Sequence, residues 1–362
     1  MSLDHYVTLG RTGLRVSPFC LGTMTFGEDW GFGASPEESQ AVLARYLELG
    51  GNFLDTANVY TKGHSEAIIG DFVARKVTRR DRLVVATKFF GTLYGGDPNA
   101  GGAGRKSVVA ACEQSLRRLK TDYIDLYWMH AWDAHTPIEE TMRALDDLAR
   151  AGKIRYAGFS DTPAWVCSEA QTLARFRGYI PLAALQIEYS LLERTVEGDL
   201  IPMAQAMGLG VTPWSPLRYG VLTGKFTRAN RGQAPDTKRG DWVTRSLNDK
   251  AYAVIDELLA VAKELGVSPS RTALAWLRGR PGVTSTIIGA RTVKHLEDNA
   301  GALKVSLSAQ QRARLDQASK PTLNFPADFL ARSGSFSSGA THVNGAYHEP
   351  TPMLPKTEAE VH

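Results

Sequence analysis

Asp55, Tyr60, Lys88 and His130 are the residues whose types and spacing suggest chemistry. Three of them close short, largely apolar runs: Gly51-Asn52-Phe53-Leu54-Asp55, Arg82-Leu83-Val84-Val85-Ala86-Thr87-Lys88 and Tyr123-Ile124-Asp125-Leu126-Tyr127-Trp128-Met129-His130. Tyr60 follows Asp55 after a short polar turn. Singly, each has an ordinary explanation: an aspartate at a strand end commonly caps a helix, and a lone lysine, histidine or tyrosine commonly serves as solvated rim or core. Together they can make a proton donor. A phenol titrates at about 10, too high to release its proton readily near neutrality. A lysine ammonium within hydrogen-bonding distance favours the phenolate and lowers that value, and it stays charged if paired with Asp55. His130, if neutral, can donate a ring N–H to a carbonyl oxygen held beside the phenol. None of the four is a good nucleophile toward the carbonyl carbon, so the second reactant is expected to be hydride from a cofactor.

For these side chains to meet, their strands must be parallel neighbours. From Phe19 onward, short apolar runs alternate with helical stretches of ten or more residues. The runs are Phe19 to Thr23, those ending in Asp55, Lys88 and His130, then Ile154–Phe159, Leu182–Ile187, Gly210–Trp214 and Ser285–Ile288. Ser35-Pro36-Glu37-Glu38 supplies an N-cap, a first-turn proline and first-turn acids, and Gly50-Gly51 ends that helix near Leu49. Later helices are expected over Ser65–Ala74, from Arg105, over Ile138–Leu148, Pro163–Phe176, Glu197–Met207, Asn248–Leu265, Ser268–Arg278, Thr292–Ala302 and Ser308–Ala318. Such alternation requires parallel strands with helical crossovers. Eight units in roughly 300 residues fit a closed (β/α)8 TIM barrel better than an open doubly wound sheet, although periodicity alone leaves the open sheet standing. Gly22-Thr23-Met24-Thr25-Phe26-Gly27 lacks the GxGxxG spacing of a Rossmann fingerprint. In a barrel, neighbouring strands lie about 4.8 Å apart, so three successive strand ends fall within roughly 10 Å on the face where catalysis occurs.

The segment Tyr6–Phe19 reads as a β-hairpin that would plug the barrel floor. Leu217 to Asn248 is basic, glycine-rich and long enough to be a functional loop, and Gly91 to Gly104, with six glycines, reads as a lid. Residues 1–320 are expected to be one domain, and 321–362, rich in Ser, Gly, Pro and Thr, a tail that is disordered or laid on the surface.

Composition sets limits. The 362 residues are 43% hydrophobic and 22% charged, as in a globular protein with a large core. The net charge of +4 carries no long basic run, which argues against nucleic acid or membrane partners. Cys20, Cys112 and Cys167 are odd in number and form no CxxC, so neither a disulfide framework nor a metal site is expected. With neither a signal peptide nor an apolar span in view, a cytoplasmic protein is expected.

The sequence resembles the aldo-keto reductases from Leu9 to about Leu303. The resemblance is carried by Gly51-Asn52-Phe53-Leu54-Asp55-Thr56-Ala57 with Tyr60 and Gly63-His64-Ser65-Glu66, by Thr87-Lys88 and by Leu126-Tyr127-Trp128-Met129-His130. Gly152-Lys153-Ile154-Arg155-Tyr156-Ala157-Gly158-Phe159-Ser160 and Gly289-Ala290-Arg291-Thr292 complete it. It implies a barrel, NADPH or NADP bound extended, and reversible reduction of an aldehyde, ketone or keto-sugar. The family's acid–base tetrad corresponds to Asp55, Tyr60, Lys88 and His130. The family pattern holds the nicotinamide carboxamide with a Ser-Asn pair and a glutamine; here Ser160 and Gln186 are kept, but Asp161 replaces the asparagine. A carboxylate accepts from the amide NH2 but cannot donate to its oxygen, and Asp161 as a mere helix cap stays open.

Trp214 matches the ring that stacks on the nicotinamide, and Ser215, Pro216, Leu217, Gly220, Leu222 and Lys225 match the pyrophosphate wrap. Gly289, Arg291, His295 and Asn299 match the adenosine end, with Arg291 as the 2′-phosphate ligand favouring NADPH over NADH. Trp30, Phe89 and Trp132 are expected to wall the site for a small carbonyl substrate. Two other readings stand beside this one: a cofactor-binding subunit like the β subunits of ion channels, and a Schiff-base aldolase using Lys88. The oligomeric state, homo-oligomer included, is left open.

Overall fold

Alternating side-chain direction along short parallel strands sets the architecture. The computed structural model describes residues 1–232 and 240–361. A hairpin of β1 (Val7–Thr8) and β2 (Arg15–Val16) precedes eight parallel strands: β3 (Phe19–Gly22), β4 (Phe53–Asp55), β5 (Val84–Phe89), β6 (Ile124–Met129), β7 (Ile154–Ser160), β8 (Leu182–Glu188), β9 (Gly210–Trp214) and β10 (Thr286–Gly289). They form one sheet in the order β10-β3-β4-β5-β6-β7-β8-β9. Its two ends meet where Val211 bridges Val283 and the Thr284 N–H donates to the Val211 carbonyl at 2.8 Å. The sheet is a (β/α)8 barrel.

The helices lie between successive strands: α1 (Pro36–Glu48), α2 (His64–Ala74), α3 (Arg105–Leu119), α4 (Ile138–Arg150), α5 (Ala164–Arg177) and α6 (Leu200–Met207). Between β9 and β10 come α7 (Gly240–Ser246), α8 (Asp249–Leu265) and α9 (Pro269–Arg278), and after β10 come α10 (Val293–Gly301) and α11 (Ala309–Ala318). Local signals explain their ends. Ser35 and Glu38 form the reciprocal capping box expected at the start of α1. On α4, Ile138, Met142, Leu145 and Leu148 are all buried on one face.

Two apolar clusters result. Cys20, Phe53, Val84, Ala86, Leu126 and Trp128 fill the barrel interior, while Leu21, Leu54, Val85, Phe89 and Tyr127 join the layer between strands and helices. The hairpin seals the floor, for Leu9 and Val16 belong to the interior cluster. Gly10 sits at φ +58°, where a Cβ would meet the Ala183 carbonyl oxygen at 2.5 Å and the Gly210 nitrogen at 2.6 Å, so only glycine fits. Beyond residue 320 the chain forms α12 (Ala327–Leu330), α13 (Gly334–Ser337) and a hairpin of β11 (Thr341–Val343) with β12 (Ala346–His348). The Leu217–Asn248 segment holds α7 and two short 3-10 turns; residues 233–239 of it lie outside the described residues. Among the described residues, no helix is long and apolar enough to cross a membrane.

Candidate active site

Register brings Asp55, Lys88 and His130 to one rim. Asp55 ends β4, Lys88 is the penultimate residue of β5, and His130 follows β6, its N–H bonded to the Phe89 carbonyl. On β5, Val84 and Ala86 point inward, so Lys88 does as well; it is fully buried. Its ammonium has three hydrogens and three partners: Asp55 Oδ1, the Thr56 carbonyl at 2.8 Å and the Tyr60 hydroxyl at 3.2 Å. Asp55 Oδ2 accepts from Gln186 Nε2 at 2.9 Å. Because the phenol oxygen accepts from Lys88, its own proton is free to point at a ligand. The His130 ring stands edge-on to Tyr60, centroids 5.6 Å apart.

The turn that presents Tyr60 is strained. Thr61, Lys62 and Gly63 have φ of +46°, +59° and +91°, and a β-branched residue rarely accepts such a value. Thr61 is held there by donating to the Phe26 carbonyl at 2.7 Å and accepting from the Ser65 N–H at 3.0 Å. Behind it, Ser65 donates to the Thr23 carbonyl at 2.8 Å and lies 2.9 Å from the Thr56 hydroxyl, all of it buried. Nothing in the sequence pattern marked this hydroxyl network.

Electrostatics differ from the simple expectation at one residue. Burial pushes the Tyr60 phenol above its ordinary pKa; Lys88 pulls it down, as its charge requires, but does not overcome desolvation. The phenol therefore keeps its proton. Burial opposes the Lys88 charge most strongly of any one cause, yet Asp55 and Tyr60 together more than offset it and the ammonium titrates above its usual value. His130 is pulled down to about 3, first by burial and then by the Lys88 charge, so its imidazole is neutral at physiological pH.

A cavity of ≈ 690 Å³ opens above these residues. Ser160, Asp161, Gln186, Trp214, Ser215, Pro216, Leu217, Gly220, Gly289 and Asn299 line it together with Asp55, Tyr60 and His130. Leu222 does not: its side chain is buried in the core. Lys225, Arg291 and His295 lie outside the cavity wall but close to one another. The His295 imidazole is lowered first by burial and then by the Arg291 and Lys225 charges. Asn299 spends its side-chain N–H on the Gly289 carbonyl at 3.1 Å. Asp161 does not cap α5, whose start carries no side-chain cap; it accepts from the Trp214 indole N–H at 3.0 Å.

Phe89 is a correction. Inward Lys88 forces the next side chain outward, and Phe89 packs on Tyr127 beneath the helices, centroids 4.9 Å apart. Trp30 stands edge-on to Tyr60 at 6.3 Å, and Trp132 packs on Trp165 at 5.6 Å, although neither lines the cavity itself. Residues 91–104 are tied down by Asn58 to the Gly91 carbonyl and by Asp133 to the Ala103 N–H, and they do not line it. Trp242 of α7, which no sequence pattern singled out, lines the cavity and packs against Phe32 and Tyr219. Met24 and Thr25, just past β3, line it as well; their place after a barrel strand was the available signal.

A barrel whose strand ends converge on a buried lysine–tyrosine–aspartate cluster invites comparison with known proteins. A profile described as the Aldo/keto reductase family matches residues 18–320. The chain belongs to the aldo/keto reductase family. It is 39% identical to an uncharacterized oxidoreductase of Bacillus subtilis (strain 168), over 84% of this chain and 93% of the relative. It is 35% identical to an aryl-alcohol dehydrogenase of Pestalotiopsis microspora, over 91% and 86%. A probable voltage-gated potassium channel subunit beta of Oryza sativa subsp. japonica is 38% identical over 83% and 92%. As an aldo/keto reductase with oxidoreductase relatives, the protein is assigned to carbonyl reduction in general, with the nicotinamide cofactors that the family generally uses.

Proposed function

We propose that the protein is an NADPH-dependent reductase of aldehydes or ketones in which Tyr60 delivers the proton. The observation that carries the reading is the fully satisfied Lys88 ammonium, which holds the phenol oxygen and leaves the phenol proton unspent. His130, neutral and edge-on to Tyr60, orients the carbonyl oxygen by donating a ring N–H. As negative charge grows on that oxygen, the Tyr60 proton passes to it, and Lys88 stabilises the phenolate left behind. Asp55 keeps Lys88 charged, and Gln186 keeps Asp55 in place.

The cavity suits a nicotinamide cofactor. Ser160 puts a buried hydroxyl at the cavity wall, Trp214 supplies a flat wall, and Lys225 and Arg291 gather positive charge beyond Gly289. Such a cofactor, when bound, supplies the hydride. Arg291 is assigned to the 2′-phosphate, hence NADPH before NADH. We place the catalytic unit in residues 1–320, with 321–362 as an appended tail, and the enzyme in the cytoplasm.

The channel-subunit relative supports a second reading, in which the barrel binds cofactor and serves mainly as a partner. Turnover separates the two. NADPH oxidation with a panel of small aldehydes should be measurable, and Tyr60→Phe should slow it by about 10²–10⁴-fold while leaving NADPH affinity intact. Loss of affinity instead would contradict the proton-donor role, and no turnover with any aldehyde or ketone would favour the subunit.

A further inference from the structure

We propose that Arg245 sets the substrate class: the site takes a flat carbonyl compound carrying an acidic group, with the acid on Arg245 at the cavity mouth and the carbonyl at Tyr60 and His130. The inference rests on the reductase reading above and adds the residue that chooses among carbonyl compounds. Arg245 belongs to α7, on the side that also carries Trp242 three residues earlier, and both line the same cavity as Tyr60 and His130. It is exposed, and it makes no hydrogen bond or ion pair with any described residue, not even with Asp241 one turn before it. The other charges on the wall are spent. Asp55 is paired with Lys88, Arg218 with Glu188, and Asp161 accepts hydrogen bonds from Trp214 and Ser160.

Two features fix Arg245 in this place. Arg218 and Tyr219 adopt left-handed φ of +45° and +55°, and from that turn Arg218 reaches Glu188 at the end of β8 and donates through Nε to Ser246 of α7 at 3.3 Å. Ser246 in turn donates to the Trp242 carbonyl at 3.0 Å. Rings then join α7 to the proton donor: Tyr60 stands 6.3 Å from Trp30, Trp30 6.0 Å from Phe32, Phe32 6.5 Å from Trp242, and Trp242 5.3 Å from Tyr219. A flat molecule lying along this wall puts one end at Tyr60 and the other at the mouth. There a carboxylate keeps part of its hydration, which spares most of the cost of burying an ion, and meets a planar guanidinium that can hold it through two hydrogen bonds.

The test is steady-state reduction by the enzyme at saturating NADPH, comparing 4-formylbenzoate with its methyl ester, which keeps the ring and the aldehyde and lacks the charge. The acid should be preferred about five- to tenfold in kcat/KM, with the difference in KM; the low end for a charge-assisted hydrogen bond applies because Arg245 is exposed. Arg245→Gln should bring the ratio of acid to ester to about unity, and Arg245→Lys should keep part of the preference. Raising the ionic strength to about 1 M, where the Debye length is about 3 Å, should erode it in the parent. No preference for the acid in the parent, or an unchanged ratio in Arg245→Gln, would overturn the proposal. So would a loss of NADPH affinity of about tenfold in Arg245→Gln, read by tryptophan fluorescence, since it would give the residue to the cofactor's phosphates. Turnover of neither aldehyde would overturn the reductase reading itself, and this inference with it.

Discussion

Replacing His130 by glutamine should remove a specific acid sensitivity of the fold. The imidazole is held at about 3 against an ordinary 6.5, first by burial and then by the ammonium of Lys88. Between those two values the unfolded chain binds a proton at this position and the native state does not. Stability must therefore rise with pH through this window and fall on acidification, by up to roughly 1.4 kcal/mol per pH unit. Taken from neutrality to pH 5, the loss from this one residue is about 2 kcal/mol. That is an upper figure, because the ring borders an open cavity. Glutamine keeps an N–H donor but has nothing to titrate. Urea unfolding of both proteins at pH 7 and pH 5 reads the effect as a difference of differences, in which the other histidines cancel. Parallel stability curves for parent and His130→Gln would refute the neutral buried imidazole, and with it the ring as a donor to a carbonyl oxygen.

Three further outcomes are expected. Lys88→Met should cost about 3–5 kcal/mol in chemical denaturation, since it strands the buried Asp55 carboxylate on Gln186 alone; a loss under 1 kcal/mol would mean that the pair is not dry. Gly158→Ala should cost about 1–3 kcal/mol, because the new Cβ would meet the Trp128 ring at 2.4 Å and the Ala184 carbonyl oxygen at 2.9 Å; an unchanged melting temperature would show that Trp128 has room to move. Arg291→Ala should weaken NADPH about tenfold and NADH hardly at all in a fluorescence titration. Equal losses would remove Arg291 from the 2′-phosphate.

Much of this molecule is written locally. The helix starts and stops come from short-range chemistry, such as the Ser35–Glu38 box and the left-handed glycines at 178, 208 and 266 that end α5, α6 and α8. Once the strands are placed, the meeting of Asp55, Lys88 and His130 follows from barrel geometry without further information. Even the misplacement of Phe89 was avoidable, since a strand that sends Lys88 inward must send its neighbour outward. Other features depend on contacts between distant segments. Trp242 reaches the cavity because Phe32 and Tyr219 hold its ring there, and Thr61 keeps its strained backbone because Phe26, from an earlier loop, accepts its hydroxyl.

The phenol shows most clearly where local reasoning ends. Charge alone says that a lysine beside a tyrosine should make it more acidic, and the sign of that contribution is right. How much water the fold removes from around the hydroxyl has the opposite sign and is larger, and no spacing of residues encodes it. The consequence is chemical. A phenol already ionised in the resting site would have no proton to give, whereas one kept neutral by burial and held by Lys88 gives it up only when a neighbouring oxygen becomes basic enough to take it. The ion pair then acts on the charge that appears during the reaction and has little to stabilise before it, which is the condition for a buried lysine to speed the step without trapping its product.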